Sequence, residues 1–448
     1  MKGLRSKLTW IGLIAGIAIT AATNTWAQGA AAVATTPVVN SGDTAWVLVS
    51  TALVLLMTLP GLALFYGGLV RRKNVLSILM QCLFLACIIT LQWVLFGYSL
   101  SFGPDLKGFI GNLDWAMLNH VGAEPNADYA GTIPHSVFML FQMMFAIITP
   151  ALIVGAFAER MKFAAFALFS LLWSTLVYDP LAHWVWGMGG FLRKMGALDF
   201  AGGTVVHINA GIAALVCALM LGRRIGFPKK LSPPHNLPFA VMGAGLLWFG
   251  WFGFNAGSAL GANGLAGSAF LATHVGAAAA GLAWAVMDLL TNRHVTMLGL
   301  ISGAVAGLVA ITPAAGFVTP GGAIAIGAGA GVICYLFVTV IKPRLGYDDA
   351  LDAFGVHGVG GIWGALATGL FATTAVNSAG ADGLFYGNPA LLWIQFKAVM
   401  VTVVYSGVMS GVLLKIVDAV LGLRASEHAE RIGLDLTDHR ETGYTVLD

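Results

Sequence analysis

Charge is scarce in this chain. Only 10% of its 448 residues are Asp, Glu, Lys or Arg, against about 25% in soluble domains. That excludes an ordinary soluble fold. Cysteine is scarcer still. The four present, Cys82, Cys87, Cys217 and Cys334, all fall inside apolar runs. This excludes a disulfide framework and a zinc site, and leaves thiols that simply pack. There is no Walker sequence, so ATP-driven pumping is not expected. The glycines Gly358, Gly360 and Gly361 lie in an apolar run without a βαβ context, so they do not make a nucleotide site. No segment is long and polar enough for an appended soluble domain. Neither an enzyme, a bound cofactor or metal, nor a nucleic-acid partner is expected.

What the chain has is apolar length. Hydrophobic residues make up 58% and mean hydropathy is +0.84. Apolar runs of about 20 residues recur along nearly the whole sequence, which marks an all-α polytopic membrane protein. Lys2, Arg5 and Lys7 precede a short apolar run, 8–22, and Thr25-Trp26-Ala27 offers a cleavage site. Residues 1–27 are therefore read as a signal peptide. About eleven spans follow, near 46–70, 75–100, 135–157, 163–185, 201–222, 238–257, 264–290, 296–313, 318–341, 353–372 and 393–422. They form one membrane domain, 28–423, with a cytoplasmic tail, 424–448. The loop at 104–134 reads as a surface loop.

Basic residues set the orientation. Arg71, Arg72, Lys73, Arg160, Lys162, Arg223, Arg224, Lys229, Lys230, Arg293, Lys342, Arg344, Arg424, Arg431 and Arg440 fall on one side; Lys107, Arg193, Lys194 and Lys397 fall on the other. Fifteen against four predicts N-out, C-in in a bacterial inner membrane. Glycine is abundant, with 58 residues, which lets membrane helices approach closely.

One stretch stands out, Asp199-Phe200-Ala201-Gly202-Gly203-Thr204-Val205-Val206-His207-Ile208-Asn209-Ala210-Gly211. It puts an acid and a histidine at the mouth and first turns of the fifth span. Ionisable groups at such depth are costly and usually face a bundle interior or a pathway. His357, at the start of the tenth span, is followed like His207 by glycine four residues on and then by Ile. The two helices enter from opposite faces, five spans apart, which is the pattern of a five-plus-five inverted repeat with its site near the midplane. Each histidine alone could be a core imidazole bridging helices. As a pair they could share one proton, line a narrow apolar path and relay a proton. Gly202 and Gly203 would let neighbouring helices close around that path.

Aromatic clusters occur at Phe141 to Phe145, at Trp184 and Trp186, and at Trp251 to Phe254, with Ser258 close behind. Trp184 reads as part of an interfacial belt. The others suit a site for a small ammonium-like cation, since each ring face attracts a desolvated cation by about 0.5–2 kcal/mol. Asp199 could touch that cation or cap the fifth helix, and capping is favoured. Asp348, Asp349 and Asp352 read in the same capping role before the tenth span.

These features resemble the ammonium transporter (Amt/Mep) family over nearly all of the mature chain, more than they resemble the related Rhesus proteins. Besides 199–211 the likeness rests on 60–71 (PGLALFYGGLVR), 155–160 (GAFAER), 250–258 (GWFGFNAGS), 354–358 (FGVHG) and 433–435 (GLD). The resemblance implies eleven helices, a homotrimer with one pore per subunit, and transport of ammonium or ammonia. It implies that Trp186, Phe145 and Ser258 form an outer ammonium site with Asp199 as the essential acid nearby. Phe145 and Phe254 would be a stacked gate, His207 and His357 the pore histidines, and Phe141, Phe200 and Trp251 supporting pore residues. It also implies docking of a PII-type signalling protein on the cytoplasmic face. The tail has His439-Arg440-Glu441 where many relatives have His-Gly-Glu, a departure that bears on tail regulation and not on the pore. Two rivals are an intramembrane bis-histidine haem carrier and an ammonium sensor without net flux.

Overall fold

The structure is a computed structural model and describes residues 38–229 and 232–444. The proposed signal peptide, 1–27, lies outside the described residues. Each of the predicted apolar runs coincides with a helix. In chain order these are α1 Ser41–Leu69, α2 Arg72–Phe102, α3 His135–Phe157, α4 Phe163–Lys194, α5 Gly203–Leu221, α6 Leu237–Gly257 and α7 Gly264–Asn292. They continue with α8 Met297–Ile311, α9 Pro320–Leu345, α10 Phe354–Phe371 and α11 Pro389–Leu421. Ten are long and apolar enough to cross a membrane, while α8 has 15 residues. The tail adds two short helices, α12 Glu427–Ile432 and α13 Leu434–His439.

The ends are set by side-chain caps. Asn40, Asn236, Asn263, Thr296 and Thr319 accept backbone amides at the starts of α1, α6, α7, α8 and α9. These donors have no partner within the helix, so such caps stabilise each start by about 1 kcal/mol. The loop at 104–134 is more ordered than expected. It carries two small antiparallel hairpins, β1 Asp105–Leu106 with β2 Ile110–Gly111, and β3 Pro125–Asn126 with β4 Ala130–Pro134.

Packing follows glycine. A Cβ on Gly68 of α1 would lie 2.5 Å from the Ala240 amide of α6, and one on Gly243 would collide with the Phe65 amide. Helices this close gain van der Waals contact that lipid cannot supply. Outward faces stay apolar, as along α11 at Met400, Val404, Val408, Val412 and Ile416. The most enclosed helix is α3, on which Phe141, Phe145, Thr149 and Leu152 are all buried.

The repeat is visible in how α5 meets α10. A Cβ on Gly211, four residues after His207, would collide with the backbone of Gly358. A Cβ on Gly361, four residues after His357, would lie 3.0 Å from the Ile208 amide. Each histidine's fourth follower thus packs on the other histidine's first follower. That reciprocity is a local two-fold relation between α5 and α10, the pattern an inverted repeat predicts.

Candidate functional site

Asp199 prepares the start of α5. Its carboxylate accepts four backbone amides, those of Gly202 and Gly203 on Oδ1 (2.9 and 2.6 Å) and those of Thr204 and Val205 on Oδ2 (2.9 and 3.1 Å). Both oxygens are committed, which is the capping role. The turn needs glycine. Gly202 has φ +111, and a Cβ on Gly203 would lie 2.5 Å from the Pro313 ring. α5 then opens with a π turn, Gly203–Ile208, that carries His207. α10 opens the same way, with Phe354–Gly358 carrying His357. Asp349 accepts the amides of Ala353 and Phe354 (3.1 and 2.8 Å). It stands eight residues before His357, as Asp199 stands eight before His207.

The structure corrects the capping reading for the neighbouring acids. Asp348 instead pairs with Arg224 (2.8 Å), and Asp352 pairs with Lys342. A guanidinium partner for Asp348 and an ammonium partner for Asp352 take the place of the helix amides there.

The predicted aromatics and histidines form one column. Trp186 meets Phe145 edge to face, with centroids 5.8 Å apart at 84°. Phe145 lies against Phe254 at 4.3 Å, tilted by 37°, and is braced by Phe141 at 5.0 Å. Phe254 lies 5.9 Å from His207, which also stacks on Trp251 at 5.4 Å and on His357 at 5.3 Å. The two Nδ1 atoms are 3.3 Å apart, so one ring donates to the other. His207 Nε2 is buried without a partner. An orphaned polar atom of this kind requires an explanation.

Ser258 Oγ donates to the Phe254 carbonyl (2.9 Å), which leaves its lone pairs free as acceptors. Trp186 donates its indole N–H to the Asp199 carbonyl (2.9 Å), tying the outer ring to the acid's backbone. Phe200 packs on Phe317 (5.5 Å) and over Gly316, in the turn between α8 and α9.

His207 and His357 share a cavity of about 10 Å³ with Met57, Leu62, Phe65, Ile148, Leu152, Leu247, Trp251 and Val305. It holds the centre of one water-sized molecule. His357 also borders a larger cavity of about 300 Å³, lined in part by Ser232, Asp288, Thr296, Ser302, Thr339 and Asp352. Past His357 the walls therefore gain oxygen atoms among apolar neighbours such as Leu69, Trp284 and Leu298. A haem does not fit. The imidazoles lie nearly parallel, 16° apart, with nitrogens in contact, and no macrocycle can enter between them.

Sequence reading missed several parts. Thr312 Oγ1 takes the Trp251 indole N–H (2.8 Å). Thr149 donates to the Phe145 carbonyl. The Asp349 equivalence was available in the constant offset of 150 residues, Asp199 to Asp349 and His207 to His357. Trp184 is not a belt residue. It is buried, donates to the Phe109 carbonyl (2.7 Å) and packs on Phe191 and Tyr405.

On the opposite face, Glu159 binds Arg71 (2.9 Å) and Arg224 (3.2 Å). The tail closes over this cluster. Asp435 accepts the Leu76 and Ser77 amides at the start of α2, and Glu430 holds Arg424 and the Ile225 amide.

Residues 45–444 match the family model described as Ammonium Transporter Family. The chain is 56% identical over 403 residues to the ammonium transporter of Bacillus subtilis, covering 90% of this chain and 98% of that one. It superposes on the crystal structure of Candida albicans Mep2 with a TM-score of 0.82 at 36% identity, covering 87% of each. A structure described as Sensor Amt Protein gives a TM-score of 0.82 at 32% identity, covering 89% of this chain and 98% of that one.

Proposed function

The chain belongs to the ammonium transporter family, and from that premise we propose that it carries ammonium across a membrane, moving it past the histidines as ammonia. The supporting observation is the column itself: two phenyl rings in contact at 4.3 Å, then two touching imidazoles beside a cavity for one small molecule. Ammonium is held between Trp186, Phe145 and Ser258, where ring faces attract the cation and the Ser258 hydroxyl accepts a hydrogen bond. A bare cation in the constriction below is strongly penalised, and neutral ammonia far less so. The proton therefore leaves before Phe145 and Phe254 part, and either follows separately through His207 and His357, which gives a current, or returns outside, which gives none. Ammonia then passes His207 and His357, whose ring nitrogens replace part of its lost hydration. Phe141 and Trp251 hold the rings of this path, and Phe200 backs the Asp199 turn.

Asp199 acts through the fold. Its oxygens are spent on amides, so it places Trp186 and contributes negative charge near the outer site. The N-terminus lies outside and the C-terminus inside, as the basic residues suggest, in a bacterial inner membrane. The chain assembles as a homotrimer. Its inner face, where the tail clasps α2 and the loop after α5, receives a PII-type protein.

The test is transport current and methylammonium uptake in liposomes holding the purified protein. Wild type carries both. If uptake and current survive unchanged when His207 and His357 are both replaced by Ala, the histidine path is wrong. A sensor without flux, which the likeness to Sensor Amt Protein keeps in view, shows binding and no uptake in the same liposomes.

A further inference from the structure

The end of α4 carries three side chains on one face, Asp179, His183 and Trp186, at spacings of four and three residues. Only Trp186 belongs to the outer site above. The other two are fully buried, and both are held by one residue of α2. Ser101 offers its carbonyl to His183 Nδ1 (3.0 Å) and its hydroxyl to Asp179 Oδ1 (3.3 Å). Gln92 of α2 adds a second donor to Asp179 (2.7 Å).

His183 has a second partner. Its Nε2 lies 2.9 Å from Asp105 Oδ1, on the β1 strand at the outer surface. The Asp105 side chain is 22% exposed and that of His183 is not exposed at all. Asp105 also takes the Gly108 amide (2.7 Å) and faces Lys194 Nζ (3.7 Å). Burial pushes the Asp105 carboxyl up, but the His183 and Gly108 hydrogen bonds and the Lys194 charge outweigh it and hold the group below its ordinary value.

Hydrogen-bond bookkeeping then places a proton. A backbone carbonyl only accepts, and an ionised carboxylate only accepts. Both ring nitrogens of His183 face such acceptors, so both must donate. The pair holds a proton, and its bond is charge-assisted. The chain turns on this residue. The Gly187 amide returns to the His183 carbonyl (2.9 Å), and Gly189, at φ +112, packs over Asp105 where a Cβ would lie 2.5 Å away. Trp186 sits inside that turn, with its carbonyl on Arg193 and its indole on the Asp199 carbonyl.

We propose that His183 and Asp105 are positioning residues for the outer site, a protonated strap that ties the Trp186 end of α4 to β1 and to the end of α2 and sets Trp186, so that affinity for the cation follows the pH outside. This rests on the outer-site reading above. When the proton leaves, the Nε2 lone pair faces a carboxylate and the strap opens. The charged and titratable groups around the pair are Lys194 on Asp105, Arg193 and Tyr129 beside it, and Asp179 one turn below His183.

The experiment uses the full chain in liposomes, with methylammonium uptake giving KM and kcat at stepped outside pH. In wild type KM rises about tenfold as outside pH is raised, the weight of one charge-assisted hydrogen bond, and kcat changes little. Asp105→Asn puts an amide N–H against Nε2, so the ring needs no second proton and KM becomes independent of pH. His183→Gln raises KM at every pH. Spectra of ¹⁵N-histidine protein supply a second readout: one doubly protonated ring, absent in His183→Gln, loses a proton as pH rises. A wild-type pH profile retained in Asp105→Asn, or a His183 ring that is singly protonated throughout, overturns the strap. Trp186→Ala separates the two readings. If it leaves KM unchanged, the outer site itself is wrong and the strap falls with it. If it raises KM while Asp105→Asn keeps the wild-type profile, only the strap is wrong.

Discussion

Gly211 and Gly358 pack backbone against backbone where α5 crosses α10, and no side-chain atom fits between them. The contact holds His207 against His357. Gly211→Ala forces a methyl into a backbone that cannot rotate away. The expected cost is about 1–3 kcal/mol or more, as for overpacked cores, together with separation of the ring nitrogens and loss of methylammonium uptake. Gly361→Ala is milder, since its nearest atoms lie at 3.0 Å. Gly245→Ala on α6 meets nothing within 4 Å and leaves melting temperature and uptake as they are. Thermal unfolding in detergent and liposome uptake on the same samples check the series.

Asp199→Asn is the second case. The amide keeps one acceptor oxygen and turns an N–H toward two backbone N–H groups. Those donors stay buried without partners, at about 1–3 kcal/mol each. The expected outcome is a clear drop in melting temperature with weakened binding at Trp186, whose indole hangs on the Asp199 carbonyl. Asp349 holds one amide on each oxygen, so Asp349→Asn orphans one donor rather than two and costs less. Equal losses in the two variants would show that the caps do not set the difference.

The long apolar helices were legible because lipid demands them: a span must be apolar for about 20 residues whatever it packs against. His357 was found through the repeat, and the structure puts it in contact with His207. Asp349 was not paired with Asp199, because the residues between acid and histidine differ in the two halves and only the spacing is shared. Trp184 was misread because a tryptophan near a helix end looks the same whether it meets lipid headgroups or the Phe109 carbonyl. The His183 strap could not be read at all. It depends on a loop strand folding back onto α4, and nothing local in the sequence reports that.

The cluster around Glu159 and Arg224 gives a pH prediction. Burial pushes Glu159 up, but Arg71 and Arg224 outweigh it and hold its carboxyl below the ordinary value; Asp348 is held low in the same way, chiefly by Arg224. Groups with lowered folded values add stability above their unfolded values, about 4.3 for Glu and about 3.9 for Asp. That stability is lost as pH falls through the folded values. Melting temperature should therefore hold near neutrality and fall below about pH 4. Arg224→Gln leaves two buried carboxylates short of a partner, an expected cost of about 3–5 kcal/mol, and flattens the acid limb. A melting curve whose acid limb is unchanged in Arg224→Gln would sink this account.

Trp251 does two jobs that substitutions can separate. Its ring stacks on His207 at 5.4 Å, and its N–H donates to Thr312 Oγ1 at 2.8 Å. Trp251→Phe removes the donor along with part of the ring. Thr312 still donates to the Leu308 carbonyl, so no buried donor is orphaned, and the hydrogen bond lost is worth about 1 kcal/mol. Thr312→Val keeps the ring but leaves the indole N–H buried without an acceptor, which costs about 1–3 kcal/mol. The smaller change in volume should thus be at least as damaging to stability. Transport orders the variants differently. Trp251→Phe keeps a ring against His207 and retains most methylammonium uptake, whereas Trp251→Ala removes the stack, frees the imidazole to turn and loses it. Should Trp251→Ala transport as well as Trp251→Phe, the ring does not hold His207 in line, and the column must be kept straight by His357 and Phe254 alone.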